Sequence, residues 1–206
     1  MSRNVLIAAT AIAGALFPWL LPREADLDPV VLAVLAVLAV LAGMRCVKPN
    51  GRNAWFVPTD AFVLAGIVTV GGRAACGLAL AGLAGTALGL TGQLPIARIL
   101  FNAGAVLVAT AAAATGYQAM GFALAAACFF MVNTSLVAAV VALDRSASWI
   151  GTWRRTFLPA VPRFGVAALL AAALCGLAAW GPMWMLGVGL LPSLSLKAAE
   201  TVTSPR

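Results

Sequence analysis

The stretch that decides the fold runs from Asp60 to Gly92 and reads DAFVLAGIVTVGGRAACGLALAGLAGTALGLTG. It is apolar almost throughout, with a single arginine, Arg73, directly after Gly71 and Gly72. A membrane-spanning helix needs about 20 residues, so the stretch is too long for one straight helix and too short for two full ones. Paired glycines are typical of a turn. The pattern therefore predicts a broken helical hairpin that enters and leaves the membrane on the same side.

The rest of the chain has the same character. Of its 206 residues, 63% are hydrophobic and 9% are charged, whereas soluble domains carry about 25% charged residues. Such a chain cannot cover its surface with polar groups, so we expect it to fold in lipid, where only helices and closed barrels satisfy the backbone. The apolar runs are continuous rather than alternating, which favours helices. The expected fold class is all-α, a polytopic membrane bundle of six to eight helices that includes the hairpin at 60–92.

The remaining apolar runs supply the predicted membrane crossings. They cover residues 5–21, 30–47, 99–115, 122–143, 164–180 and 182–196. The last run is barely long enough, and Pro192 interrupts it. We expect the first run to be a retained helix rather than a cleaved signal peptide, because no clean cleavage site follows it. Residues 1–196 are thus expected to form one transmembrane domain, and 197–206 a flexible cytoplasmic tail.

The basic residues indicate the topology. With a hairpin at 60–92, every lysine and arginine except Arg23 and Arg73 falls on one side of the membrane. A single crossing would instead move Arg98 and the arginines of 145–163 to the other side. The positive-inside rule favours the hairpin, with both termini in the cytoplasm of a bacterial inner membrane. The net charge of +7 is therefore interpreted as a topology signal, and no nucleic-acid partner is expected.

Two charged residues within the hairpin stretch are candidate ligand-binding residues, Asp60 and Arg73. Charged side chains at membrane depth usually face the protein interior or water. In one interpretation Arg73 anchors an anionic ligand group or pairs with Asp60, although an unbroken helix would hold the two about 20 Å apart. In the other, Arg73 lies at the hairpin tip and reaches the outer interface, while Asp60 caps its helix at the cytoplasmic interface.

Asn102 and Asn133 complete the set of candidate ligand-binding residues. Both lie in predicted spans among apolar neighbours, and a primary amide in hydrocarbon needs hydrogen-bond partners. The two side chains either bond across helices as structural contacts or line a small-molecule pocket. The glycines of the hairpin, including Gly85 and Gly89, are expected to allow close helix packing.

The sequence offers little for catalysis. It has no histidine, and its four cysteines, at positions 46, 76, 128 and 175, are far apart. This pattern excludes histidine-based acid–base chemistry and gives no support for a metal site or a disulfide. No phosphate-binding loop or nucleophile elbow is present. We therefore expect no catalytic residue, no metal, no cofactor and no enzymatic activity, and a membrane enzyme acting on lipids is disfavoured.

One loop is long and basic. It begins after Asp144 with Arg145 and ends at Arg163, and it interleaves arginines with bulky apolar residues. That mixture is typical of a short amphipathic segment lying among lipid head groups. The loop is also the place where a membrane or cytoplasmic partner protein is expected to bind.

Three stretches carry a family resemblance: RILFNAGAVLV at 98–108, FFMVNTSLVAAVVAL at 129–143 and WRRTFLPAVPRFGVAALLAA at 153–172. They resemble the multi-spanning sensor regions that precede HD-GYP and diguanylate cyclase output domains in bacteria. The resemblance implies an integral membrane sensing module whose C-terminus faces the cytoplasm. This sequence holds no output domain, so no cyclic-di-GMP chemistry carries over to it.

Two functions fit these observations. The first is a non-enzymatic module that senses a small molecule or binds a partner protein, with its pocket among the hairpin and the spans of Asn102 and Asn133. The alternative is a small transporter, or the substrate-capturing subunit of a vitamin-type importer, in which the hairpin is a re-entrant element lined by protein or water. In both, the lipid bilayer is the constant partner.

Overall fold

The computed structural model describes residues 2–22, 27–45, 59–90 and 95–190. These ranges contain helices and turns but no strand, so the all-α prediction is confirmed for this part of the chain. The helices are α1 (Arg3–Leu20), α2 (Pro29–Met44), α3 (Asp60–Thr69), α4 (Gly72–Gly89), α5 (Ile96–Met120), α6 (Phe122–Asp144), α7 (Trp149–Thr156) and α8 (Val161–Ala178), with a 3-10 turn at Leu158–Ala160 before α8. Residues 182–190 are also helical. The predicted tail at 197–206, most of the loop that follows α2, and Arg23 lie outside the described residues.

Four stretches are long and apolar enough to cross a membrane: Arg3–Leu20, Ile96–Met120, Phe122–Asp144 and Trp149–Ala178. Helices α2 and α3 are apolar but shorter. Helix α5 extends beyond the limits predicted from the apolar run at 99–115, because residues 116–120 are helical as well. Residues 117–120 hold no helix breaker, so α5 continues to Met120, and Gly121 alone, with φ of 79°, separates it from α6.

The central stretch is broken where the glycines predicted. Helix α3 has 10 residues and ends at Thr69, and Gly71 adopts φ 87° and ψ 165° before α4 begins. The two helices then fold back on each other. A Cβ built at Gly66 would meet the side chains of Leu78 and Ala75, and one built at Gly82 would meet Thr59. The start of α3 thus lies beside the middle of α4, and the bend forms the tip of a hairpin.

Gly71→Ala tests the backbone of this bend. The φ and ψ angles of Gly71 lie in a region that is essentially restricted to glycine and costs other residues about 1–3 kcal/mol. We expect the free energy of unfolding in detergent to fall by about that amount. Gly77→Ala in α4 is the matched control, since Gly77 has open space around it and alanine favours a helix interior. Equal stability of the two variants would contradict the strained bend.

Helices α2 and α4 run parallel and approach closely through glycine. A Cβ at Gly85 would overlap the carbonyl oxygen of Val40, and one at Gly89 would overlap that of Met44. Because Gly85 faces Val40 and Gly89 faces Met44, the two helices advance in the same direction. The prediction that Gly85 and Gly89 mediate close packing is confirmed.

Further contacts fix which helix ends share a face of the bundle. The guanidinium of Arg3 forms an ion pair with the carboxylate of Asp144, at a distance of 3.1 Å. This contact joins the start of α1 to the end of α6, and the α5–α6 hairpin brings Arg98 to the same face. At the opposite face, a Cβ at Gly72 would meet the side chains of Ala114 and Leu21. The hairpin tip therefore lies at the end of the bundle away from Arg3 and Arg98.

The interior is built from small residues and the surface from large apolar ones. Helix α3 is almost wholly buried, and α1 crosses α5 where Gly14 meets Gly104 backbone to backbone. Outward-facing side chains include Ile12, 61% exposed, and Leu169, 73% exposed. Threonine hydroxyls inside the helices donate hydrogen bonds to backbone carbonyls one turn earlier in the same helix. Thr110, for example, donates to the carbonyl of Val106 at 2.7 Å. The arrangement places little polar surface along the sides of the helices.

Candidate ligand-binding residues

Arg73 lies in the first turn of α4, at the hairpin tip, and its guanidinium is directed to the end of α1. Its Nη2 donates hydrogen bonds to the carbonyl oxygens of Trp19, at 3.0 Å, and Leu21, at 2.9 Å. Its Nε donates to the carbonyl of Pro18 at 3.3 Å, and the guanidinium also lies 5.7 Å from the ring centroid of Trp19. The last carbonyls of a helix have no partner within it and carry partial negative charge. Arg73 thus serves as a cap for α1.

Asp60 is the first residue of α3, and Thr59 rather than Asp60 occupies the N-cap position. An acidic residue in the first turn is favourable because the helix dipole is positive there. Asp60 begins α3 and Arg73 follows its end, so a helix about 15 Å long separates them and they do not pair. No hydrogen bond or ion pair joins the Asp60 carboxylate to another described residue.

Asn102 and Asn133 are both half-buried, and neither amide is hydrogen-bonded within the described ranges. Their positions relative to Gly121 differ by seven residues, which offsets them by about 10 Å along the α5–α6 hairpin. Asn102 lies near the crossing of α1 and α5, whereas Asn133 lies next to the residues on which α7 docks. Of the four predicted ligand-binding residues, no two are joined by a polar contact in the described structure.

Helix α7 makes a contact with α6 that the sequence did not indicate. The indole Nε1 of Trp149 donates to the carbonyl of Ser135 at 3.1 Å, and that of Trp153 donates to the Thr134 hydroxyl at 2.9 Å. The same hydroxyl donates to the carbonyl of Phe130 at 2.6 Å. Since Ser135 lies about 14 Å back from the end of α6, the chain turns back after Asp144, and the two tryptophan side chains extend from α7 back along α6.

Aromatic rings reinforce this junction. The Trp153 ring meets Phe130 edge-on at a centroid distance of 6.3 Å, and Phe164 of α8 lies 4.9 Å from Phe130 and stacks on Phe129 at 6.3 Å. The i, i+4 spacing of Trp149 and Trp153 places both indoles on one helix face. That spacing was the available signal, but the segment was expected to lie among lipid head groups rather than against a neighbouring helix.

The chain was compared with protein-family models, curated proteins and solved structures. No family model matches it, and neither a curated protein nor a solved structure does.

Proposed function

We propose that this chain is a multi-pass protein of the bacterial inner membrane, with both termini in the cytoplasm, that acts without catalysis as a small-molecule sensing or partner-binding module. The observation that carries the membrane placement is the inverted distribution of side chains. Large apolar residues such as Ile12 and Leu169 point outward, while glycine and alanine fill the helix contacts. Membrane bundles pack through small residues, because lipid is as apolar as the protein interior and no hydrophobic driving force buries large apolar side chains.

The distribution of arginines supports the orientation. Arg3 and Arg98 lie at one face of the bundle, with Arg45 and Arg145 at the ends of α2 and α6 that share it. Arg73 lies at the opposite face, where the α1 carbonyls hold it. Under the positive-inside rule, the face with the arginine excess is cytoplasmic.

Cysteine labelling tests this placement. In a chain whose native cysteines are replaced by alanine, we introduce Met120→Cys at the end of α5 or Ser146→Cys after α6, both at exposed positions. A membrane-impermeant maleimide applied to intact cells is expected to label the first and not the second, and both after lysis. Labelling of Ser146→Cys alone, or of both in intact cells, would contradict the proposed orientation.

The sensing role is supported by the position of α3. This short helix contacts α2, α4, α5, α6 and α8, so any shift of α3 alters the packing of its neighbours. Packed interfaces respond to small shifts by changing between discrete arrangements. A ligand or partner that moves α3 would therefore change the packing of helices throughout the bundle.

The break between α3 and α4 favours a second candidate, a small transporter or the substrate-capturing subunit of a vitamin-type importer. Interrupted membrane helices commonly form the substrate sites of transporters. Mass spectrometry of small molecules retained by the purified protein, followed by uptake of the retained compound into proteoliposomes, separates the two. Retention without uptake supports the sensing module, whereas retention with uptake supports transport.

A further inference from the structure

The segment from Arg145 to Arg163, which contains α7, carries four arginines and no acidic residue. All four arginines are exposed. Large apolar side chains are exposed beside them: Ile150, Leu158 and Val161. The acidic residue that precedes the segment, Asp144, is paired with Arg3. The segment therefore presents positive charge and apolar surface together, without an acidic side chain of its own to neutralise it.

The docking on α6 fixes the orientation of this surface. Because Trp149 and Trp153 direct their indole N–H groups to Ser135 and Thr134, the face of α7 that bears both indoles is turned to the bundle. Arg154 and Arg155 follow Trp153 directly and are left exposed. The hydrogen bonds and the ring contact of Trp153 with Phe130 hold the helix in this rotation.

We propose that the α7 segment, residues 145–163, is a docking surface for anionic phospholipid head groups. Arg154 and Arg155 contact lipid phosphates, and Ile150 and Leu158 insert at the boundary between head groups and acyl chains. Guanidinium groups form short, charge-assisted hydrogen bonds with phosphate, and amphipathic helices with basic and bulky apolar residues bind at this depth. The inference rests on the proposed membrane placement and names a lipid partner for that same surface.

The test is a titration of the full chain, purified in detergent, with short-chain phosphatidylglycerol and, separately, phosphatidylcholine, followed by native mass spectrometry. We expect tighter binding of phosphatidylglycerol. Each basic residue near an anionic lipid surface contributes a factor of roughly five, so Arg154→Gln and Arg155→Gln are each expected to weaken binding about five-fold and the double variant about 25-fold. Arg98→Gln, an exposed arginine at the same face but outside the segment, is the matched control and is expected to change binding by less than about two-fold.

Trp153→Phe tests the positioning role of the indole. The variant keeps an aromatic ring against Phe130 but removes the hydrogen bond to Thr134, and it is expected to weaken phosphatidylglycerol binding while leaving all four arginines in place. Unchanged binding in this variant would overturn the positioning role. Circular dichroism of each variant confirms that the fold is retained.

Wild-type phosphatidylglycerol affinity in the Arg154→Gln/Arg155→Gln variant would overturn the lipid surface. If that variant also lost an acidic protein that co-purifies with the wild type, the occupant would be a protein. If the cysteine labels appear on the expected sides of the membrane while the double variant keeps wild-type affinity, the lipid surface is rejected and the membrane placement still holds.

Discussion

Gly85→Leu is expected to be the most damaging single substitution in the helix contacts. A Cβ at this position would overlap the carbonyl oxygen of Val40, its carbonyl carbon and its Cα. These are backbone atoms of α2 and cannot rotate away as a side chain would. Overpacking lowers the free energy of unfolding by about 1–3 kcal/mol and occasionally more. Because the α2 backbone is rigid, we expect a loss at the upper end of this range. A loss of about 3 kcal/mol corresponds to a fall in the unfolding midpoint of about 6–12 °C for a chain of this size.

Gly77→Leu is the matched control for this prediction. Gly77 lies on the same helix as Gly85, and nothing lies within 4 Å of a Cβ built there. The control variant is expected to unfold within about 2 °C of the wild type, since exposed substitutions usually change stability by less than 0.5 kcal/mol. Thermal unfolding in one detergent measures both variants. Similar midpoints for the two would show that α2 and α4 do not approach as closely as described.

Arg73→Met is expected to have the next largest effect, and it separates the two interpretations of this arginine. Methionine keeps an apolar stem but loses the three hydrogen bonds to the carbonyls of Pro18, Trp19 and Leu21. Hydrogen bonds to charged groups contribute about 1.5–3 kcal/mol each, but the guanidinium is partly exposed and water replaces some of what is lost. We expect the free energy of unfolding to fall by about 2–3 kcal/mol.

Arg73→Lys is the conservative variant and Arg98→Met is the control for this prediction. Lysine keeps the charge but not the planar fork that reaches several carbonyls, so its stability is expected to lie between wild type and Arg73→Met. Arg98 is exposed in the first turn of α5, and its substitution is expected to be nearly neutral. If Arg73→Met left the unfolding midpoint unchanged but abolished retention of an anionic small molecule, Arg73 would be a ligand anchor rather than a cap.

The sequence predicted the hairpin because its signals are local. Glycine tolerates the backbone angles of a sharp bend, and Gly71 and Gly72 lie together between two apolar runs. The close approach at Gly85 and Gly89 was predictable for the same reason, since small residues four apart lie on one helix face. Helix ends were less predictable. The span predicted at 99–115 continues as a helix to Met120, and Gly121 alone reverses the chain.

The contacts that connect distant parts of the chain were not predictable. Arg73 binds backbone carbonyls at the end of α1, and every helix end offers such carbonyls, so no side-chain pattern identifies the partner. The docking of α7 on α6 depends on the Thr134 hydroxyl and the Ser135 backbone carbonyl, and nothing in the sequence marks either group as the partner of a distant tryptophan. The candidate site is likewise only partly defined: Asp60, Asn102 and Asn133 lie where the pattern placed them along the helices, but how they face one another is set by helix packing.

The cap on α1 also has a consequence for how the protein is made. The carbonyl of Leu21 and the guanidinium of Arg73 are 52 residues apart in the chain, and a ribosome adding about 5–20 residues per second needs roughly 3–10 s to reach the second from the first. During that interval α1 lacks the guanidinium of Arg73 as a hydrogen-bond donor to the carbonyls at its C-terminal end. Its C-terminal turn therefore acquires the three hydrogen bonds from Arg73 only once the central hairpin has been synthesised, which couples the completion of α1 to the insertion of α4.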